Sequence, residues 1–243
     1  MITKILQFMI LLIDGDTLLY SIGSIQNIED DNTFKKIFDN KIEKIKRTLN
    51  CSNYLIIIQG ARNFRNKHDI NYKKHRNSQK PKGYSTLRQH VIQKHKHIIS
   101  NNIETDDMCN ISAKICESLN KDYIVVHIDK DLDQIVGNHY NPTKNLIYSI
   151  NEYDSLYNLA YQLIKGDVTD SKITGLKGYG HVKATNLLSN IELNELIPIV
   201  FKEYIKVYGY DIGIHKFYQT YNIIKIVDIY PKITKKLTSL INN

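Results

Sequence analysis

Residues 104–135 read ETDDMCNISAKICESLNKDYIVVHIDKDLDQI, and how this stretch folds decides the architecture of the chain. Met108, Ile111, Ile115 and Leu119 recur at helical spacing, which predicts a helix with Glu104, Asp106 and Asp107 in or just before its first turn. Tyr123 to Ile128 is a short apolar run of strand type that ends where Asp129 begins. A strand apolar on both faces belongs inside a parallel sheet, and open α/β sheets bind ligands at the carboxyl ends of their strands. Asp129 and Asp131 are therefore expected at that edge, facing one crevice with the acids of the helix start.

Carboxylates gathered in one crevice repel each other and raise each other's pKa unless a cation compensates them. Oxygen donors without paired His or Cys favour Mg2+, with Mn2+ as a substitute, over zinc. Each cluster taken singly also has an ordinary reading. Acids at a helix start complement its dipole, and Asp129 to Asp133 could be a solvated turn.

Upstream, Phe8 to Ile13 is a second continuous apolar run, and it ends in Asp14-Gly15-Asp16, so Asp14 is expected at a strand's carboxyl end as Asp129 is. Ile37, Ile42, Ile45 and Leu49 mark a helix over 34–49, and Tyr54 to Ile58 a further strand, giving a right-handed β-α-β unit. Residues 66–100 carry nine Lys or Arg, five His and a single acid, Asp69, with Pro81-Lys82-Gly83 as a break. A segment so basic is expected outside the core, either as a solvated lysine face or as an arch that contacts phosphates, with Tyr72 able to stack on a base. His95 and His97, two apart on a helix, diverge and argue against zinc there.

Downstream, Leu146 to Ile150 reads as a strand and Leu156 to Ile164 as a helix. Gly166-Asp167-Val168-Thr169-Asp170 supplies a third acidic pair, spaced so that both carboxylates can face one way. Gly175-Leu176-Lys177-Gly178-Tyr179-Gly180 then opens a helix near His181 to Leu188, and glycines before a helix let backbone amides approach a phosphate. The tail from Asn194 on has a helical pattern and no nameable chemistry.

The 243 residues suffice for one large domain, or one domain with an appendage, and their 42% hydrophobic and 24% charged composition is that of an ordinary globular protein. The chain carries +8, and setting aside eight of its 25 acids as candidates for one site (Asp14, Glu104, Asp106, Asp107, Asp129, Asp131, Asp167 and Asp170) leaves a remainder that is more basic still. Such a body around an acidic pocket suits a polyanionic substrate. Cys51, Cys109 and Cys116 have no zinc spacing and are odd in number, so they are expected as reduced core thiols. The run Phe8 to Ile13 is too short to cross a membrane and has no cleavage pattern after it, which predicts a cytoplasmic protein without a membrane partner.

The series LLIDGD (11–16), NFR (63–65), YKKHR (72–76), ETDD (104–107), DKDLDQIVG (129–137) and GDVTD with GLKGYGHVKA (166–184) resembles the 5′-3′ exonuclease and flap endonuclease family, especially its phage and bacterial branch. The resemblance covers about residues 8–190. It implies an α/β fold: a PIN-like nuclease domain over 1–165, with a helical arch at about 66–100, and a helix-three-turn-helix region with further helices over 166–243. By resemblance, Asp14, Glu104, Asp106, Asp107, Asp129, Asp131, Asp167 and Asp170 hold two Mg2+ ions, directly or through water. Lys73 and Arg76 engage the scissile phosphate, and Arg65 and Tyr72 join the nucleic-acid contacts. Gly175, Lys177, Gly178, Gly180 and Lys183 form the hairpin on the duplex backbone, where family members often bind K+. The implied partner is DNA with a 5′ single-stranded end or flap, or an RNA/DNA hybrid. The implied protein is a monomer, free-standing or working with a separate polymerase, in a bacterium or in the host cell of a phage.

Two departures stand out. Members commonly carry an Asp after the second strand, where this chain has Gln59-Gly60, and an Arg seven residues after the first Asp, where it has Ser21. Two other functions stay open beside the DNA nuclease: an RNA-directed nuclease, and a DNA-structure-binding protein that has lost catalysis.

Overall fold

The computed structural model describes residues 9–69, 72–73, 79–166 and 173–242. Six strands form one sheet: β1 (Ile10–Asp14), β2 (Tyr54–Asn63), β3 (His97–Asn102), β4 (Tyr123–Val126), β5 (Gly137–Asn141) and β6 (Leu146–Ile150), in the order β3-β2-β1-β4-β5-β6. The first five are parallel to their neighbours and β6 runs antiparallel to β5. The order reverses between β1 and β4, so the carboxyl ends of these two strands flank the crevice where such sheets bind ligands.

Both sheet faces are buried, as the continuous apolar runs require. Leu11, Ile13, Ile56, Ile58 and Val126 face a layer made by α1 (Gly15–Gly23), α2 (Asp31–Thr48) and α3 (Tyr84–Lys94). Ile10, Leu12, Leu55, Ile57 and Val125 face α4 (Thr105–Ser118) and α9 (Pro231–Asn242). Helix α2 forms because Phe34, Phe38, Ile42 and Ile45 give it one apolar stripe, and because the Asp30 carboxylate accepts the Thr33 N–H at 2.9 Å as an N-cap. Gly15 lets α1 start directly on the sheet: a Cβ there would lie 2.6 Å from Ile56 Cγ2 and 2.7 Å from the Ile57 carbonyl oxygen.

A third apolar cluster unites α5 (Glu152–Lys165), α6 (His181–Leu188), α7 (Leu196–Tyr208) and α8 (Tyr210–Ile224) through Leu159, Leu163, Leu188, Val200, Tyr204 and Phe217. The packing thus divides the chain differently from a boundary at 165: α5 belongs with the helices that follow it, and α9 returns to the sheet beside α4. The 66–100 expectation is corrected for its second half, residues 84–100, while 70, 71 and 74–78 lie outside the described residues. Tyr84, Leu87 and Val91 bury one face of α3 against the sheet layer together with His90, and 97–102 is an edge strand, so this part of the segment is built into the core layers. Strands β3 and β5 had not been anticipated, and His95 and His97 lie at and beyond the end of α3 instead of on one helix. The three cysteines are free and buried. Among the described residues no helix is long and apolar enough to cross a membrane.

Candidate active site

Strand β1 runs out at Asp14, whose carboxylate caps α1 by accepting the Thr17 N–H at 3.3 Å and the Thr17 hydroxyl. Burial pushes the Asp14 carboxyl up to about 7, with Asp16 and Asp129 adding to the effect and the Thr17 hydrogen bonds opposing it. Asp106, in the first turn of α4, is raised well above the ordinary carboxylate value by burial and then by Asp14, Glu104 and Asp129, against Lys73. Glu104 differs. Burial alone would raise it, but Lys73, Arg65 and the Tyr72 hydroxyl hold it below its ordinary value. The sheet edge thus brings Asp14, Glu104, Asp106 and Asp129 into one field of like charge. Asp129 caps a short 3-10 turn by accepting the Asp131 N–H at 3.0 Å, and Asp131 accepts the Gln162 amide at 2.9 Å from α5. The donor set is all oxygen and its negative charge is under-compensated, which fits a hard divalent cation. Asp167, Asp170 and Arg76 lie outside the described residues.

Lys73 donates to Glu104 Oε1 from a left-handed backbone (φ 55°), a conformation that an ordinary side chain holds only when its surroundings impose it. Three sequence expectations are corrected here. Tyr72 is 5% exposed and donates to Glu104 Oε2 at 2.9 Å, so its ring is not presented to a base. Arg65 is 2% exposed and cannot reach a phosphate. Its Nη1 and Nη2 donate to the two Asp107 oxygens at 2.5 and 2.8 Å, and Nε and Nη2 also donate to the Ile223 and Lys225 carbonyls at 2.7 and 3.0 Å. Asp107, fully buried, accepts in addition the Glu104 N–H and the Val227 N–H, each at 2.9 Å. Its oxygens hold the start of α4 to the segment between α8 and α9 and are not turned to a metal.

At the Gln59-Gly60 departure, the Gln59 side chain spans the entrance to α4, donating to the Ile103 carbonyl and accepting the Thr105 N–H, both at 3.1 Å. Gly60 is needed for packing, because a Cβ would meet Asn101 Oδ1 at 2.2 Å and the Ser100 carbonyl at 2.7 Å. Next to them lies Asp16, in the same LLIDGD motif but outside the set of acids that the motifs imply for metal. Asp16 Oδ2 accepts the Gln59 N–H at 2.9 Å and the Thr105 hydroxyl at 2.5 Å, whereas Oδ1 is buried with no hydrogen-bond partner among the described residues. Burial raises this carboxyl too, against Arg88 and Lys80.

The glycine-rich turn forms a separate cavity of about 770 Å³ before α6. Gly175 (φ 57°) packs on the end of α5, and Leu176 donates its N–H to the Ile164 carbonyl at 2.9 Å. The Tyr208 hydroxyl fixes the turn, donating to the Gly175 carbonyl at 2.7 Å and accepting the Lys177 N–H at 2.9 Å. Lys177, Gly178 and Gly180 are exposed here, with Lys183 over the Tyr179 ring at 5.6 Å. Lys165 and Lys216 line the same cavity. They went unnoticed in the sequence because they come from α5 and α8, 51 positions apart by their numbers. Among the described residues no side chain caps α6, which leaves its first amides to the turn, an arrangement suited to an anion.

No family model matches this chain, and no curated protein matches it by sequence. Solved structures do match. The T5 D15 protein co-crystallised with metal ions has a TM-score of 0.78 at 14% identity, over 96% of this chain and 98% of that one. The bacteriophage T5 D15 flap endonuclease in a pseudo-enzyme-product complex with DNA and metal ions has a TM-score of 0.67 at 15% identity, over 97% and 100% of the two chains. The catalytic core of Rad2 in complex with DNA substrate has a TM-score of 0.51 at 13% identity, over 97% of this chain and 79% of that one. The likeness spans the whole architecture, and the PIN-like α/β fold expected from the motifs is the fold found.

Proposed function

We propose that this chain, built on the fold of those exonuclease and flap endonuclease structures, is a structure-specific 5′ nuclease that hydrolyses DNA phosphodiesters with divalent metal. The observation that carries the reading is the convergence of Asp14, Glu104, Asp106 and Asp129 at the β1/β4 crevice with two carboxyls raised by burial and by each other. Asp14, Asp106, Asp129 and Asp131, together with Asp167 and Asp170, are the residues that would hold Mg2+ or Mn2+, two ions by analogy with two-metal hydrolases. When bound, such ions acidify a water and neutralise charge on the attacking and leaving oxygens.

The chain's own residues do the rest. Lys73, held on Glu104, places an ammonium beside the acids, where it can offset charge growing on the scissile phosphate. Arg76 is assigned the same task by its motif. The turn with Lys177, Lys183, Lys165 and Lys216 grips the duplex backbone away from the chemistry, and its carbonyls would take K+. Gln59 keeps the entrance of α4 in place where relatives are expected to carry an acid, so the loss at that position removes a donor without unseating Glu104 and Asp106.

The test is single-turnover cleavage of a 5′-labelled DNA flap across a Mg2+ titration, with a matched RNA flap in parallel. Cleavage near the junction that leaves 5′-phosphate ends and falls at least about 100-fold in Asp106→Asn and Lys73→Ala is expected. Preference for the RNA flap would move the assignment to an RNA-directed nuclease. Tight flap binding with no cutting in Mg2+ or Mn2+ would make the chain a recognition protein.

A further inference from the structure

Beneath the Asp129 turn, two histidines on adjacent strands face each other. His127 follows β4 and His139 lies in β5; they are 2% and 0% exposed, and His127 Nε2 stands 2.7 Å from His139 Nδ1. The opposite nitrogens are both committed. His127 Nδ1 is 2.6 Å from the Asp129 carbonyl oxygen, and His139 Nε2 is 2.8 Å from the Ile135 carbonyl oxygen. A carbonyl oxygen only accepts, so each of these nitrogens carries its ring's hydrogen. A neutral imidazole has one such hydrogen, and the two facing nitrogens therefore present lone pairs to each other. That arrangement is repulsive unless a cation joins them, and full burial penalises an imidazolium.

A third donor converges on the same point. Asp133 Oδ1 is 3.9 Å from His127 Nε2, and all three donor atoms lie within 4.8 Å of one another. The Tyr148 hydroxyl donates to Asp133 Oδ1 at 2.8 Å and stands 3.3 Å from His127 Nε2, at the fourth corner. Asp133 is 25% exposed, which leaves a path for an ion from solvent. Donating the second ring N–H to a backbone carbonyl is how metal-ligating histidines are oriented. Zinc–nitrogen bonds of about 2.0–2.1 Å at a tetrahedral angle set the two nitrogens about 3.3 Å apart, so the rings need to separate by only about 0.6 Å.

The other histidine cluster lacks this signature. His90 Nε2 and His95 Nε2 both reach Asp39 Oδ1, at 2.7 and 2.9 Å, and a carboxylate can accept two N–H donors with nothing further required.

We propose that His127, His139 and Asp133 form a structural zinc site, with the Tyr148 hydroxyl or a water completing a tetrahedron, that braces the β4–β5 connection carrying Asp129 and Asp131. The site is distinct from the carboxylate centre, and its existence does not depend on the nuclease reading. To test it, the full chain is incubated with zinc in excess Mg2+, desalted, and assayed for bound zinc, for melting temperature, and for the visible spectrum after exchange with Co2+. The expected result is one zinc per chain, a tetrahedral Co2+ spectrum, and a melt raised by zinc. All three should persist in Asp106→Asn and disappear in His139→Gln. Asp133→Asn, at a partly exposed position where folding is safe, should weaken zinc affinity at least about 10-fold. Folded parent protein that retains no zinc would overturn the proposal. So would zinc that leaves with Asp106→Asn, or zinc that stays bound in both His139→Gln and Asp133→Asn.

Discussion

Replacing Arg65 separates two roles that the sequence alone could not. The guanidinium pairs with a fully buried Asp107 through two hydrogen bonds and ties down the Ile223 and Lys225 carbonyls. In Arg65→Ala the carboxylate keeps the Glu104 and Val227 amides, and the buried Ile223 carbonyl and the half-buried Lys225 carbonyl lose this donor. Breaking a buried pair from one side costs about 3–5 kcal/mol, because the remaining charge stays buried without its partner. For a chain of this length about 2–4 °C accompanies each kcal/mol, so the melt should fall by about 6–20 °C. The assay is thermal unfolding followed by circular dichroism, with flap binding measured well below the new midpoint. The double variant Arg65→Met with Asp107→Leu should recover much of the loss, since apolar groups of similar volume avoid the desolvation cost, less about 1 kcal/mol for the lost α4 cap. A melt of Arg65→Ala within about 2 °C of the parent, combined with weakened DNA binding, would refute the clasp and return Arg65 to the phosphate backbone.

The Asp14 carboxyl sits at about 7 in the fold against an ordinary 3.8, so between these values the folded state binds more protons than the unfolded one. Its contribution to metal-free stability is therefore greatest near pH 4 and falls as pH rises through 7, at up to about 1.4 kcal/mol per pH unit. In EDTA, Asp14→Asn should melt above the parent at pH 8 and level with it near pH 4, while losing the parent's Mg2+-induced rise; a parent that equals or exceeds the variant at pH 8 would contradict this. Gly175→Ala should cost several kcal/mol, because the new Cβ would lie 2.4 Å from the Ile164 carbonyl oxygen at φ 57°. Gly178→Ala meets nothing within 4 Å and should cost about 1 kcal/mol from its φ of 80° alone; denaturant unfolding of the pair compares them. Gly60→Asp, which nominally supplies the missing family acid, should lower the melt without tightening Mg2+ binding, since the Ser100 carbonyl occupies the space at 2.7 Å; a gain in Mg2+ affinity measured by calorimetry would show otherwise. Lys216→Ala should reduce the salt slope of duplex binding by about 0.9 with little effect on cleavage at saturation, and an unchanged slope would remove this lysine from the backbone contacts.

The sequence by itself determined the strands β1, β2, β4 and β6, because continuous or patterned apolar runs leave a buried strand few alternatives, and it placed Asp14 and Asp129 at their carboxyl ends. It also marked the glycine turn before α6, since glycines ahead of a helix leave its first amides open, and at Gly175 the close-packed positive-φ backbone demands glycine. What it could not determine is which way a side chain points once the chain closes on itself. Arg65, Tyr72 and Asp107 carry the same charges and rings whether they meet DNA or the protein itself; the return of residues 223–227 onto α4 holds Arg65 and Asp107 inward, and Glu104 holds Tyr72. Helix α3 is obscured by the basic composition of the whole 66–100 segment, because composition averages over faces and neighbouring stretches, whereas packing reads one face. Asp16, Lys216 and the His127–His139 pair depend on neighbours brought from other elements: Gln59 and Thr105, α5, and the adjacent strand. Local pattern fixes local structure because its forces act over a few residues, while a site is made where distant segments cross, and that crossing is decided by the burial of the whole core.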